Sequence, residues 1–217
     1  MPAAYADVKD YTAIFTRSEV LRGKQRPEET ISLKFRQPLQ VYMKWLSESG
    51  KDREAIFVKG RDGDKVLVHE PGWISGHFTV LLPPDGPTIM SRSRHPFNEI
   101  GIGRVIDLII STFEKANQAG ELDLRDRGIS REEGRSMRVI EGVLPKDPAK
   151  NYYCYRAIVT IDEILKLPVG VKVYDWSDNL VEHYRYTNVQ INPGLTDLDF
   201  SPENPSYNFP TTRINRR

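Results

Sequence analysis

The sequence predicts a mainly β chain with some α: one strongly curved antiparallel sheet, an unclosed β-barrel, with a single helix and a lid segment on its concave face. Three observations predict it. Apolar residues alternate at period two through most of the chain. One segment alone keeps a helical period. Short turn-forming stretches separate consecutive strands, which favours an antiparallel meander.

Ile31, Leu33 and Phe35 alternate with Ser32, Lys34 and Arg36, and Val41, Met43 and Trp45 alternate with Tyr42 and Lys44. Successive side chains of a half-buried strand point to opposite faces, which gives this rhythm. Gln37-Pro38 divides the region into two strands because proline cannot donate to a ladder. Further strands are predicted at 11–22, 54–60 and 65–70, with Arg61-Asp62-Gly63-Asp64 as a hairpin turn. In the second half, Tyr153, Tyr155, Ala157, Val159 and Ile161 share one face, and Val169, Val171 and Val173 share another. A strand covers 135–144, and a long final strand runs from Leu180 to Ile191.

Residues 98–119 break the rhythm. Ile102, Val105, Ile106, Ile109, Ile110, Phe113 and Ala116 make an apolar helical stripe. Asn98 is the candidate N-cap and Gly120 the candidate stop. The sheet is the large apolar surface on which this stripe can lie. Residues 71–97 are apolar but rich in breakers, and such a long loop in a compact domain is usually functional. The chain reads as one domain over 1–217, with a lid and helix insertion at about 71–119 and an extended, proline-rich tail over 192–217.

Composition narrows the function classes. The chain has 217 residues, 31 Lys+Arg against 30 Asp+Glu, and net charge +1. Near-balanced charge argues against a dedicated nucleic-acid binder, whose affinity comes largely from neutralising phosphates. No apolar run is long enough for a transmembrane helix. The start, Met1-Pro2-Ala3-Ala4-Tyr5, lacks the charged and apolar regions of a signal peptide, which leaves a cytosolic protein and a mature exported form as alternatives.

Motifs for chemistry are sparse. Cys154 stands alone and falls in a predicted strand, so a buried, inert thiol is expected rather than a nucleophile. His69, His77, His95 and His183 show no metal-ligand spacing. Gly101-Ile102-Gly103 lacks the rest of a phosphate loop, and Asp197, Asp199 and Glu203 lack calcium-loop spacing. No catalytic residue, metal or cofactor is expected. A hydrolase or metalloenzyme would need His69, His77 or His95 to converge with Glu70 or Glu99.

Several stretches carry a family resemblance: Glu28 to Phe35, Val41 to Trp45, Leu67 to Gly72, Asn98 to Gly103, Tyr152 to Tyr155 and Tyr174 to Trp176. Two more are the most specific, Gly194-Leu195-Thr196-Asp197-Leu198-Asp199-Phe200 and Asn204-Pro205-Ser206-Tyr207-Asn208-Phe209. Together they resemble an uncharacterised bacterial envelope family, domain of unknown function family 1571. That family is similar in pattern to periplasmic lipoprotein carriers of the LolA/LolB type. The resemblance implies an unclosed barrel, a helical lid and an apolar cavity for acyl chains, in the periplasm or cell envelope, with peripheral membrane contact. The carriers' lid-gripping arginine has three candidates here, Arg36, Arg53 and Arg104.

The expected function is therefore non-enzymatic binding of an apolar or acylated ligand, a lipid or the acyl chains of a lipoprotein. Val41, Met43, Trp45, Phe57, Ile106, Ile109, Ile110 and Phe113 are expected to line the interior, with Trp73, Ile74, Phe78, Val80, Leu81 and Leu82 as the lid. The alternative is a structural or protein-interaction envelope module with a filled core, anchored by Trp73, Arg92 and Arg94.

Overall fold

The computed structural model describes residues 1–71 and 78–210, with Phe78 as backbone only. Its elements are α1 (Pro2–Ala6), β1 (Asp10–Leu21), β2 (Lys24–Gln25), β3 (Glu29–Arg36), β4 (Gln40–Trp45), β5 (Glu54–Val58), β6 (Val66–Glu70), β7 (Phe78–Leu82), α2 (Pro87–Met90), α3 (Ile102–Gln118), β8 (Asp123–Glu132), β9 (Arg135–Val143), β10 (Arg156–Asp162), β11 (Pro168–Tyr174) and β12 (Leu180–Ile191). The strands form one antiparallel sheet in the order β7-β6-β5-β4-β3-β1-β12-β11-β10-β9-β8, with β2 paired to β1 alone. The sheet is not closed into a barrel.

Most predicted strands form where alternation placed them. Three strands did not show in that pattern: the two-residue β2, β7 and β8. β7 lies within the stretch read as an irregular lid, yet residues 78–82 pair with β6, Val68 opposite Val80 and Val66 opposite Leu82. That half of the expected lid is a sheet strand. β8 is exposed along nearly its whole length, so burial imposes no apolar alternation on its sequence.

The chain divides into two compact units, and β1 and β12 contribute residues to both. The first comprises Met1–Asp7, Arg17–Arg26 and Ile100–Tyr186; the second comprises Val8–Thr16, Pro27–Glu99 and Thr187–Arg217.

In the first unit, α3 packs on the sheet through Ile102, Ile106, Ile109, Thr112 and Ala116, all buried. Gly142 on β9 leaves room for the Phe113 ring; a Cβ there would lie 2.3 Å from it. The helix starts later than the Asn98 cap predicts. Gly101 precedes it at φ 109, a backbone that L side chains rarely adopt. Its first turn is held instead by phenols: Tyr5 accepts the Gly103 N–H and Tyr186 accepts that of Gly101. Burial is the main reason the Tyr5 hydroxyl is pushed up to about 12. The C-terminal stop is as predicted, with Gly120 at φ 68.

In the second unit, β3, β4, β5 and β6 run in sequential antiparallel register. Antiparallel sheets commonly have one apolar and one solvated face. Here β4, β5 and β6 each bury consecutive residues, so both faces are covered. One face, bearing Tyr42, Ile56 and Leu67, is covered by Phe200 and Phe209 of the C-terminal tail. The tail was predicted only as an extended segment; it is a strap.

Candidate functional site

The face opposite the strap is the candidate site. Cross-strand partners share a face, and the register gives Ile31 with Trp45, Leu33 with Met43, Phe35 with Val41, Val41 with Phe57, and Met43 with Ala55. The strip continues through Val68 and Val80, and Val66 and Leu82, to the far strand. Tyr11 of β1 stacks on Phe35, ring centroids 5.0 Å apart. The sequence-predicted residues Val41, Met43, Trp45, Phe57 and Leu82 thus converge on one surface. The first four are at most 5% exposed.

Leu81 does not belong to it. Strand alternation turns Leu81 to the other face, where it packs with Tyr42, Ile56 and Leu67 under the strap. Phe78 pairs with Glu70 through its backbone. Trp73 and Ile74 lie outside the described residues. On α3, in the first unit, Ile106 and Ile109 are buried, whereas Ile110 and Phe113 are half-buried.

The site face carries one polar feature of note. The indole Nε1 of Trp45 is buried and has no hydrogen-bond partner among the described residues. The Arg53 guanidinium lies 5.2 Å from the Trp45 ring and bonds Glu70 Oε1 at 2.7 Å. Arg92 meets the same oxygen, also at 2.7 Å. Burial alone would raise the Glu70 carboxyl, but the two guanidinium groups outweigh it and hold it low. Of the three candidate lid-gripping arginines, Arg53 therefore borders the site. Arg36 instead grips the tail, through the Leu195 carbonyl, Asp197 and the face of Phe200. Arg104 is exposed on α3.

The strap side is more polar. Lys34 pairs with Asp199 at 2.7 Å, and Arg61 bonds the Phe200 carbonyl at 2.7 Å. Glu54, fully buried, accepts from the Tyr42 hydroxyl at 3.0 Å and the Asn208 N–H at 2.7 Å. Burial, then the Glu54 charge, pushes the Tyr42 phenol far up.

Two of the three histidines that a hydrolase or metalloenzyme would need, His69 and His95, lie among the described residues. His69 is buried with Nδ1 3.3 Å from Thr79 Oγ1, on the face opposite Glu70. His95 donates its backbone N–H to Ser93, and His77 lies outside the described residues. Among the described residues, no group of His, Cys, Asp and Glu is suited to a metal ion. Cys154 is buried, and desolvation, followed by the Glu182 charge, pushes its thiol up to about 12.

Sequence reading missed the buried carboxylates of the first unit. Glu182 is 1% exposed and takes both oxygens to the Tyr153 hydroxyl, at 2.6 and 2.8 Å. Glu19, also buried, accepts from Tyr184. The inward position of Glu182 follows from its place two residues from Tyr184, and the tyrosine face of β12 is the buried one.

A family model described as protein of unknown function (DUF1571) matches residues 8–209. The chain belongs to this family. No curated protein matches it. Among solved structures it is similar to MucB, with 16% identity, TM-score 0.50, 91% of this chain covered and 59% of that one. The chain thus spans well under two thirds of MucB. An uncharacterised conserved protein from Thermus thermophilus has 9% identity and TM-score 0.50, covering 92% of this chain and 88% of that one. The LolA superfamily protein NE2245 from Nitrosomonas europaea has 10% identity and TM-score 0.41, with 90% and 91% covered. Identities this low speak to the fold. No helix among the described residues is long and apolar enough to cross a membrane.

Proposed function

We propose that this DUF1571 chain is a non-enzymatic envelope protein that binds an apolar or acylated ligand, the acyl chain of a lipid or lipoprotein, on the apolar face of β3–β7. One observation carries the reading. Both faces of this part of the sheet are buried; the strap accounts for one, while the other bears the apolar side chains of Val41, Met43, Trp45 and Phe57. An acyl chain suits such a surface, because each methylene taken from water contributes about 0.8 kcal/mol without a directed contact. Envelope location and peripheral membrane contact follow from the same reading and from the resemblance to lipoprotein carriers.

The test is solvent extraction of the protein purified under mild conditions, followed by mass spectrometry, together with displacement of 1-aminoanthracene by palmitate. Co-purified acyl species and dye displacement are expected. The absence of both would overturn the reading.

One observation favours the alternative, a protein-interaction module with a filled core: the four lining residues of β4 and β5 are nearly inaccessible. A negative result in both assays selects that module.

A further inference from the structure

β8 is the last strand in the sheet order, and every residue of it except Ser130 is exposed. An edge strand presents a row of backbone N–H and C=O groups that another strand can pair. Two large apolar side chains on β8, Leu124 and Ile129, are more than half exposed. Charges and a bulge usually guard such an edge against chance pairing. β8 has both. It carries Arg125, Asp126, Arg131 and Glu132, and Arg127-Gly128 stand together opposite Val139 of β9, with Gly128 at φ 83.

These guards are complementary to themselves in one register. When two copies of β8 run antiparallel about a two-fold axis at Ile129, each Ile129 meets its counterpart. The bulge sets Arg127-Gly128 against Ser130 of the other copy, two residues to one, as it does against Val139. Arg131 then faces Asp126, and Glu132 faces Arg125. Without the bulge the same axis would oppose Asp126 to Glu132 and Arg127 to Arg131. The faces also agree: Asp126, Ile129 and Arg131 share one side of β8, and Arg125 and Glu132 share the other, as their partners on β9 show. An axis at Asp126 or Arg127 sets a charge on its own copy, and one at Ser130 sets Ile129 against Arg131. Arg125 and Asp126 already pair with Asp123 and Arg138, yet nearly half of each side chain is exposed, and both groups can take a second partner.

We propose that the chain pairs with a second copy of itself through β8, in this register, so that the two sheets become one. The proposal is independent of acyl binding. One strand pair is a small contact, at the low end of the range for specific association, so the dimer forms as concentration rises.

Sedimentation velocity on the wild-type chain is expected to show a monomer–dimer equilibrium that weakens with salt, because the charge pairs across the axis are exposed. Glu132→Arg sets like charges opposite Arg125 and should weaken the dimer about tenfold. Cross-linking tests the register. Cys154 is buried, so an introduced surface cysteine reacts alone. Ile129→Cys brings two thiols together at the axis, within the Cα separation of about 7 Å that a disulfide allows. Leu124→Cys, as exposed and on the same face, lies away from the axis. Under a mild oxidant Ile129→Cys is expected to cross-link about tenfold faster or more than Leu124→Cys. The sedimentation arm needs only wild-type protein, so the proposal stays testable if a variant does not fold. Equal rates at the two cysteines, no cross-link at Ile129→Cys, or a wild-type chain that is monomeric up to about 500 µM overturns it; the last outcome leaves the edge to a foreign strand or to none.

Discussion

Tyr207 lies flat on Tyr42, ring centroids 3.8 Å apart and planes 6° from parallel. This contact joins the C-terminal tail to the second unit's sheet. The Lys34 ammonium sits over both rings, 5.8 and 5.3 Å from their centroids, and the Tyr207 hydroxyl bonds the Asp199 carbonyl at 2.8 Å. The two motifs that carry the family resemblance most specifically are thus the strap itself.

Removing the strap's anchors should unfold the second unit before it affects anything else. Phe200 is fully buried, so Phe200→Ala is expected to cost about 3–5 kcal/mol. Tyr207→Ala should cost less, because Tyr207 is half-buried and its stacking contributes about 0.5–1.5 kcal/mol beyond area burial. Thermal denaturation of the two variants checks the ranking.

Acid should loosen the same strap. Burial raises the Asp199 carboxyl, but the Lys34 ammonium and the Thr196 backbone N–H together reverse that and leave it lowered. A carboxyl lowered in the folded state adds stability above its unfolded pKa, near 3.9 for aspartate, and loses it as pH falls through the folded value. Asp199→Asn should therefore destabilise the protein at neutral pH and flatten the fall in stability below about pH 4. Denaturant titrations across that range measure both effects.

The Phe113 and Gly142 packing predicts a coupled pair. Gly142→Ala places a methyl group against the ring and should cost about 1–3 kcal/mol through overpacking. Because Phe113 is half-buried and can partly yield, combining the change with Phe113→Leu should recover much of the loss. A double-mutant cycle reads the coupling directly.

Cys154 should be silent in the native state. With its thiol pushed up to about 12, almost no thiolate exists at neutral pH, and burial denies access. Reaction with a chromogenic disulfide reagent should be slow in buffer and complete in guanidinium.

Alternation exposed most of this fold because a half-buried strand writes its burial into its sequence. Ile31 to Phe35 and Val41 to Trp45 show this, and their shared face emerged as expected. The same logic hid β8, whose two exposed faces accept Arg125, Asp126 and Arg127 as readily as anything else. It misplaced Leu81, because an apolar run such as Val80-Leu81-Leu82 is legible as strand or loop, and only a register tells which face each residue takes. The strap escaped for a further reason. It is held by scattered aromatics and charge pairs from residues distant in sequence, such as Lys34 with Asp199, and no local period marks those.

The central claim is that the face bearing Val41, Met43, Trp45 and Phe57 receives an acyl chain. Titration of the purified, delipidated protein with a dansylated long-chain fatty acid tests it most directly. Saturable fluorescence enhancement with about one probe per chain, reversed by unlabelled palmitate, is the result the account predicts. A linear, non-saturating response that palmitate does not reverse would contradict it.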